Sequence, residues 1–177
     1  MVKMLTFKCL LLASIFMAGF QAVSAQSTPL ILDDFESYTI ANVSPQALWW
    51  TPWDLNDAST ASAEVTSTFA SNGSKSMKVK KDGASGDDQL LLLGNKSAGR
   101  YQLKWQMYIP AGNAAYFNVQ TDQDNPGASN ATYSGQVYFQ TNGTFDCDLP
   151  QPTVSGVYPQ DKWFELEILV DLDNNLI

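Results

Sequence analysis

The stretch Gly99 to Pro110, GRYQLKWQMYIP, constrains the fold more than any other part of the chain. Tyr101, Leu103, Trp105, Met107 and Ile109 share one parity, and Arg100, Gln102, Lys104, Gln106 and Tyr108 share the other. Side chains alternate across an extended backbone, so this pattern gives one apolar and one polar face. A two-residue period held this long predicts a half-buried strand, opened by Gly99 and closed by Pro110.

Other stretches read the same way. Ala115, Phe117 and Val119 form an apolar row against Tyr116, Asn118 and Gln120. Val137 and Phe139 oppose Gln136, Tyr138 and Gln140. A last strand is expected at 163–170, with Phe164, Leu166, Ile168 and Val170 on one side. Met77 and Val79 are expected inward between Lys78 and Lys80, and 63–69 reads as a short strand. The run at 89–93 predicts a strand covered on both sides or at a sheet junction, and 144–159 reads as irregular. Turn formers separate these stretches, notably Asn72-Gly73 and Asn142-Gly143. With no helical period after residue 25, the expectation is an all-β, antiparallel two-sheet sandwich.

Residues 1–25 read as a secretory signal peptide. Lys3 and Lys8 supply the positive start, Cys9 to Phe20 the apolar stretch, and Val23-Ser24-Ala25 the small residues before a cut. That stretch is shorter than the roughly 20 residues a spanning helix needs. The domain is then 26–177, and Asp171 to Ile177 reads as a turn with its returning strand barely begun, so closing strands are expected to be missing.

The net charge of −8 becomes more negative when both leader lysines are removed. An acidic chain is unsuited to phosphate backbones and to anionic membrane surfaces, so neither nucleic acid nor membrane is an expected partner. No histidine is present, which removes Ser-His-Asp and Cys-His catalysis and the usual zinc sites. Cys147 is the sole cysteine after the leader and is expected as a buried hydrophobe.

A family resemblance rests on LDDFESY, the tryptophan cluster QALWWTPWD, ASNGSKSMKV, DDQLLLLG, GRYQLKWQMYIPAGNAAYFNVQ and YPQDKWFELEILVDLDNN, in that order. The set resembles the concanavalin A-like, laminin G-like jelly-roll modules of exported Bacteroidetes proteins. The resemblance implies two packed antiparallel sheets, a carbohydrate-related or adhesive role, and a larger parent protein whose other domains are further partners.

The candidate binding face combines the polar parities of three strands, on the premise that they pair in sequence order. It would hold Gln106, Tyr108, Tyr116, Asn118, Gln120, Gln136, Tyr138 and Gln140, beside Gln102 and one charge, Lys104. Amides both donate and accept hydrogen bonds, as sugar hydroxyls require, and tyrosine offers an apolar plane with a polar tip. The alternative is a polar face that meets water or another domain. Trp50, from the cluster Trp49, Trp50 and Trp53, is a candidate stacking residue. As neighbours on an extended backbone, Trp49 and Trp50 should point to opposite faces.

Asp33, Asp34 and Glu36 offer hard oxygen ligands for a structural Ca²⁺, which the resemblance also favours. Glu165 and Glu167 are the weak candidates for a glycosidase acid–base pair, with Asp171 beyond them. Glucanases related to the family carry Glu-x-Asp-x-x-Glu, whereas this chain reads Glu-x-Glu-x-x-x-Asp, so an outward acidic face is the competing reading. The functional expectation is a secreted, non-catalytic, lectin-like module. A structural or adhesive module comes second and a glucanase-type hydrolase third.

Overall fold

The computed structural model describes residues 29–82, 85–121, 131–148 and 153–177. The expected signal peptide lies outside them. The chain divides into units 1–32 and 33–177. In the first, only 29–32 is described, and Leu30 and Leu32 are exposed there.

The second unit is built from β strands. Its first half contains β1 (Trp50–Pro52), β2 (Glu64–Thr66), β3 (Ser76–Lys78), β4 (Lys81–Asp82), β5 (Ser85–Gly86) and β6 (Gln89–Leu91). Its second half contains β7 (Arg100–Tyr108), β8 (Ala115–Gln120), β9 (Tyr133–Phe139), β10 (Thr144–Cys147), β11 (Val154–Val157) and β12 (Trp163–Asp171). The helical content among the described residues is a single 3₁₀ turn, Ser44–Gln46. No helix among them is long and apolar enough to cross a membrane.

The first half pairs as three short antiparallel ribbons, β1 with β6, β2 with β3, and β4 with β5. Tyr38, Val43, Ala63 and Val65 are buried together, with Phe35, Ala47, Trp50 and Met77 packed around them. A polar knot lies beside this core. The Gln89 amide oxygen accepts from the Ala63 N–H at 3.0 Å, and its nitrogen donates to the buried Ser44 hydroxyl at 3.0 Å. Burying these groups is tolerable because each finds a partner.

The second half is a β-sandwich of unequal layers. One sheet has the order β11-β10-β9-β8, and the other is the pair β12-β7. The long alternating stretch becomes β7, with its odd residues inward and Arg100, Gln102, Lys104 and Gln106 exposed. β12 runs antiparallel beside it, matching Leu166 to Trp105 and Ile168 to Leu103 on the inner face. Trp105 meets Phe117 edge-on at 5.0 Å, and Phe164 lies 6.0 Å from Phe139. Ile109, Val137, Phe139 and Tyr158 form the buried centre between the layers. The Tyr158 hydroxyl donates to the Gln140 carbonyl at 2.7 Å, so its polar end is satisfied at the rim.

Four expectations need correction. The three alternating stretches do not pair in sequence order: β8 joins β9, but β7 joins β12. The segment 144–159 is not irregular throughout, because it supplies β10 and β11. There Phe145 and Cys147 face Phe139 and Val137 in register. Val79 is not inward; β3 ends at Lys78 and Val79 is 56% exposed. The 89–93 run is not covered on both sides, since β6 stops at Leu91 and Leu92 and Leu93 are exposed.

Candidate functional site

The re-pairing of β7 divides the expected binding face in two. A sandwich turns its apolar faces toward each other, so the polar rows of the two sheets point outward on opposite sides. Gln102, Lys104 and Gln106 belong to the β7–β12 surface. Tyr116, Asn118, Gln136 and Tyr138 belong to the surface of the four-stranded sheet.

On the β7–β12 surface, cross-strand neighbours consume the polar groups. The Lys104 ammonium lies 3.0 Å from the Glu165 carboxylate, to which Gln106 also donates at 3.2 Å. Gln102 donates to Glu167 at 2.6 Å, and Arg100 pairs with Asp171 at 2.8 Å. The bond to Glu165 and the nearby negative charge push the Lys104 ammonium above its ordinary value. Glu165 and Glu167 therefore sit in a ladder of complementary pairs on an exposed face, as cross-strand chemistry favours. Tyr108 is not a free stacking plane: it packs on Phe69 at 4.6 Å and leans on Trp163 at 5.5 Å.

The outer surface of the four-stranded sheet is different. Tyr116 stands directly across from Tyr138, and Asn118 across from Gln136. The two rings lie 4.9 Å apart, tilted by 40°, and remain 45% and 40% exposed. Both phenols donate to the Gln136 amide oxygen, at 2.7 and 2.9 Å, and Asn118 donates to the Tyr116 hydroxyl at 3.1 Å. Partial burial, offset by that Asn118 bond, pushes the Tyr116 phenol above its ordinary value. The network orients Gln136 with its amide nitrogen turned away from the phenols, and Asn118 with its carbonyl oxygen likewise turned away. The result is an exposed aromatic pair flanked by one amide donor and one amide acceptor.

β10 and β11 extend this surface with residues the sequence did not flag. Asp146 lies opposite Tyr138 and takes a 2.6 Å bond from the Ser155 hydroxyl. Asp148 accepts from the Gln136 backbone N–H. Their signal was the alternation of Thr144 and Asp146 with Phe145 and Cys147, hidden by the turn formers that follow. Gln140 lies just past β9 at the Asn142-Gly143 turn and is exposed. Gln120 leaves the row: the register shifts between Val119 and Gln120, and its Nε2 is buried with no partner among the described residues.

Trp50 belongs to neither surface. Its ring stacks on Phe35 at 6.1 Å, and its indole N–H donates to Asp33 Oδ2 at 2.8 Å. Trp49 donates to the same oxygen at 2.9 Å and Tyr38 at 2.6 Å, while the Phe35 N–H takes Oδ1. Partial burial alone would raise the Asp33 carboxyl. The bonds from Tyr38, Trp49, Trp50 and Phe35 outweigh it and hold the group below its ordinary range. Phe35 adopts a φ of 62°, which the Asp33 bond to its N–H helps to hold.

Glu36 points elsewhere. It accepts from the Ser74 N–H and hydroxyl and the Lys75 N–H in the Asn72-Gly73 turn. Gly73, at φ +78°, brings that turn so close that a Cβ would lie 2.6 Å from the Glu36 carboxylate. Asp34 takes the Glu36 N–H. Ca²⁺ needs six to eight converging oxygens. Here the three carboxylates diverge and face hydrogen-bond donors, so this arrangement does not fit a calcium cage. Among the described residues, no group of three or more acidic or cysteine side chains is placed to hold a metal ion.

Compared with known proteins, the chain matches no family model, no curated protein and no solved structure.

Proposed function

We propose that this chain is a secreted, non-catalytic carbohydrate-binding module, built on the jelly-roll plan its sequence resembles. The observation that carries the reading is the Tyr116–Tyr138 pair, held by Gln136 and Asn118 on the outer surface of the four-stranded sheet. A sugar ring would lie against the tyrosine pair, which offers apolar area without leaving solvent. Its hydroxyls would exchange water for the Gln136 amide nitrogen and the Asn118 carbonyl, with Asp146 and Gln140 at the margin. Trp50, Tyr108 and Gln120, engaged or buried elsewhere, have no part in this arrangement.

Glycan-array binding, with and without chelator, tests the reading. Specific retention should be lost in Tyr116→Ala/Tyr138→Ala, and an undiminished signal in that double variant would refute the site. A chelator-sensitive signal would add a calcium requirement. Release of reducing sugar by the unaltered protein, abolished in Glu165→Gln, would instead favour a hydrolase.

A further inference from the structure

The two outer surfaces of the sandwich treat their acids differently. On the β7–β12 surface, Glu165 lies 3.0 Å from the Lys104 ammonium and Asp171 lies 2.8 Å from Arg100. The four-stranded sheet has no such cations to offer. From Lys104 to Lys162 the sequence contains no lysine or arginine, and this interval includes all of β8 to β11. Two acids nevertheless stand on its outer surface. Asp146 of β10 lies directly across from Tyr138. Asp148 continues the same row past the end of β10, because its backbone N–H still bonds to the Gln136 carbonyl at 3.0 Å.

Both carboxylates are held by neutral donors. Asp146 Oδ1 takes the Ser155 hydroxyl at 2.6 Å, and Asp148 Oδ1 takes the Gln136 N–H. The second oxygen of each has no hydrogen-bond or ion-pair partner among the described residues. An ionised carboxylate only accepts, so each is left seeking a donor. The tyrosines beside them add to the same polarity, because the face of an aromatic ring attracts positive charge. Side chains directly opposite on paired strands have Cβ atoms about 5 Å apart, which brings the Asp146 carboxylate beside the Tyr138 ring. Asp148 is close enough for its charge to act on the Tyr116 phenol.

We propose that the glycan taken by this surface carries free amines, as in an oligomer of a 2-amino sugar, an inference that rests on the carbohydrate reading. The ammonium of one sugar lies against the Tyr138 ring and donates to Asp146. Its three donors match an acceptor-only carboxylate. The neighbouring ring covers Tyr116, with its hydroxyls on the Gln136 amide nitrogen and the Asn118 carbonyl. A neutral glycan keeps the stacking and the amide bonds but leaves Asp146 partly desolvated without a partner. Uronates and sulfated sugars are refused by like charge, with no cation on the sheet to offset it.

A glycan array that prints each oligosaccharide backbone in free-amine, N-acetyl and hydroxyl forms tests this with the full chain. The amine form should bind about tenfold tighter than its N-acetyl or hydroxyl counterpart. Asp146→Asn keeps an oxygen for Ser155, so it should remove that preference and leave retention of the neutral forms in place. Glu167→Gln removes one charge from the opposite surface and should leave the preference intact, which separates the site from the attraction of any acidic protein for a polycation. Should Asp146→Asn not fold, salt on the unaltered chain decides: raising it should erase the amine preference and spare neutral binding. Equal binding of amine and neutral forms, a preference that survives Asp146→Asn or high salt, or one lost equally in Glu167→Gln would overturn the inference while the carbohydrate reading stands. Silence on every backbone in every form would overturn both.

Discussion

Asp33 shows how one side chain organises its neighbourhood. Its Oδ2 collects two indole N–H groups and a phenol, fixing Trp49, Trp50 and Tyr38 around one negative charge. Asp33→Ala would strand those donors and should cost about 2 kcal/mol in denaturant unfolding at neutral pH, while Asp33→Asn, which keeps an oxygen acceptor, should cost less. The folded carboxyl titrates below its unfolded value. Its contribution is therefore fully present above the unfolded value and is lost as pH falls through the folded one. The acid limb of stability against pH should be shallower in Asp33→Asn than in the unaltered protein. An unchanged limb would remove Asp33 from the account. The sequence showed the carboxylates and the tryptophans but not their meeting. Opposite directions for Trp49 and Trp50 follow only from an extended backbone, and here a turn precedes β1, with the Trp50 N–H bonded to the Ala47 carbonyl.

Among the elements, faces were legible and neighbours were not. The parity of β7 and β12 could be read residue by residue, because burial imposes a period of two on any strand with one wet side. Pairing leaves no such mark. After Ile109 the chain does not make a hairpin within one sheet. It crosses to the other, and Asp161 anchors the crossing by accepting the Ala111 N–H at 2.9 Å and donating its own N–H to the Ile109 carbonyl. The candidate face was therefore half legible: Tyr116, Asn118, Gln136 and Tyr138 do meet, whereas Gln106 and Tyr108 belong to the opposite surface. The face assignment has a direct check. Ile168→Ala should destabilise by about 3 kcal/mol, since it opens the buried layer. Glu167→Ala, on the exposed ladder, should stay within about 0.5 kcal/mol. Equal costs in urea titrations would mean that β12 is not oriented as described.

Across the whole molecule, two cores share one chain, and the stack of Phe69 on Tyr108 is a contact that joins the first half to the outer surface of β7. Phe69→Ala should loosen this link, shifting hydrogen exchange in β2 and β3 more than in β9. The connections within the sandwich differ sharply in reach. β8 through β11 form a meander in which each strand follows its neighbour, but β7 finds its partner only after all four have passed. Local pairings form early and distant ones late. A ribosome adding about 5–20 residues per second needs several seconds to travel from β7 to β12. Throughout that interval Leu103, Trp105 and Met107 lack β12, the strand that pairs beside them among the described residues. The newborn chain thus carries an unsheathed greasy ribbon, and a holdase or prompt export would be its natural guardian.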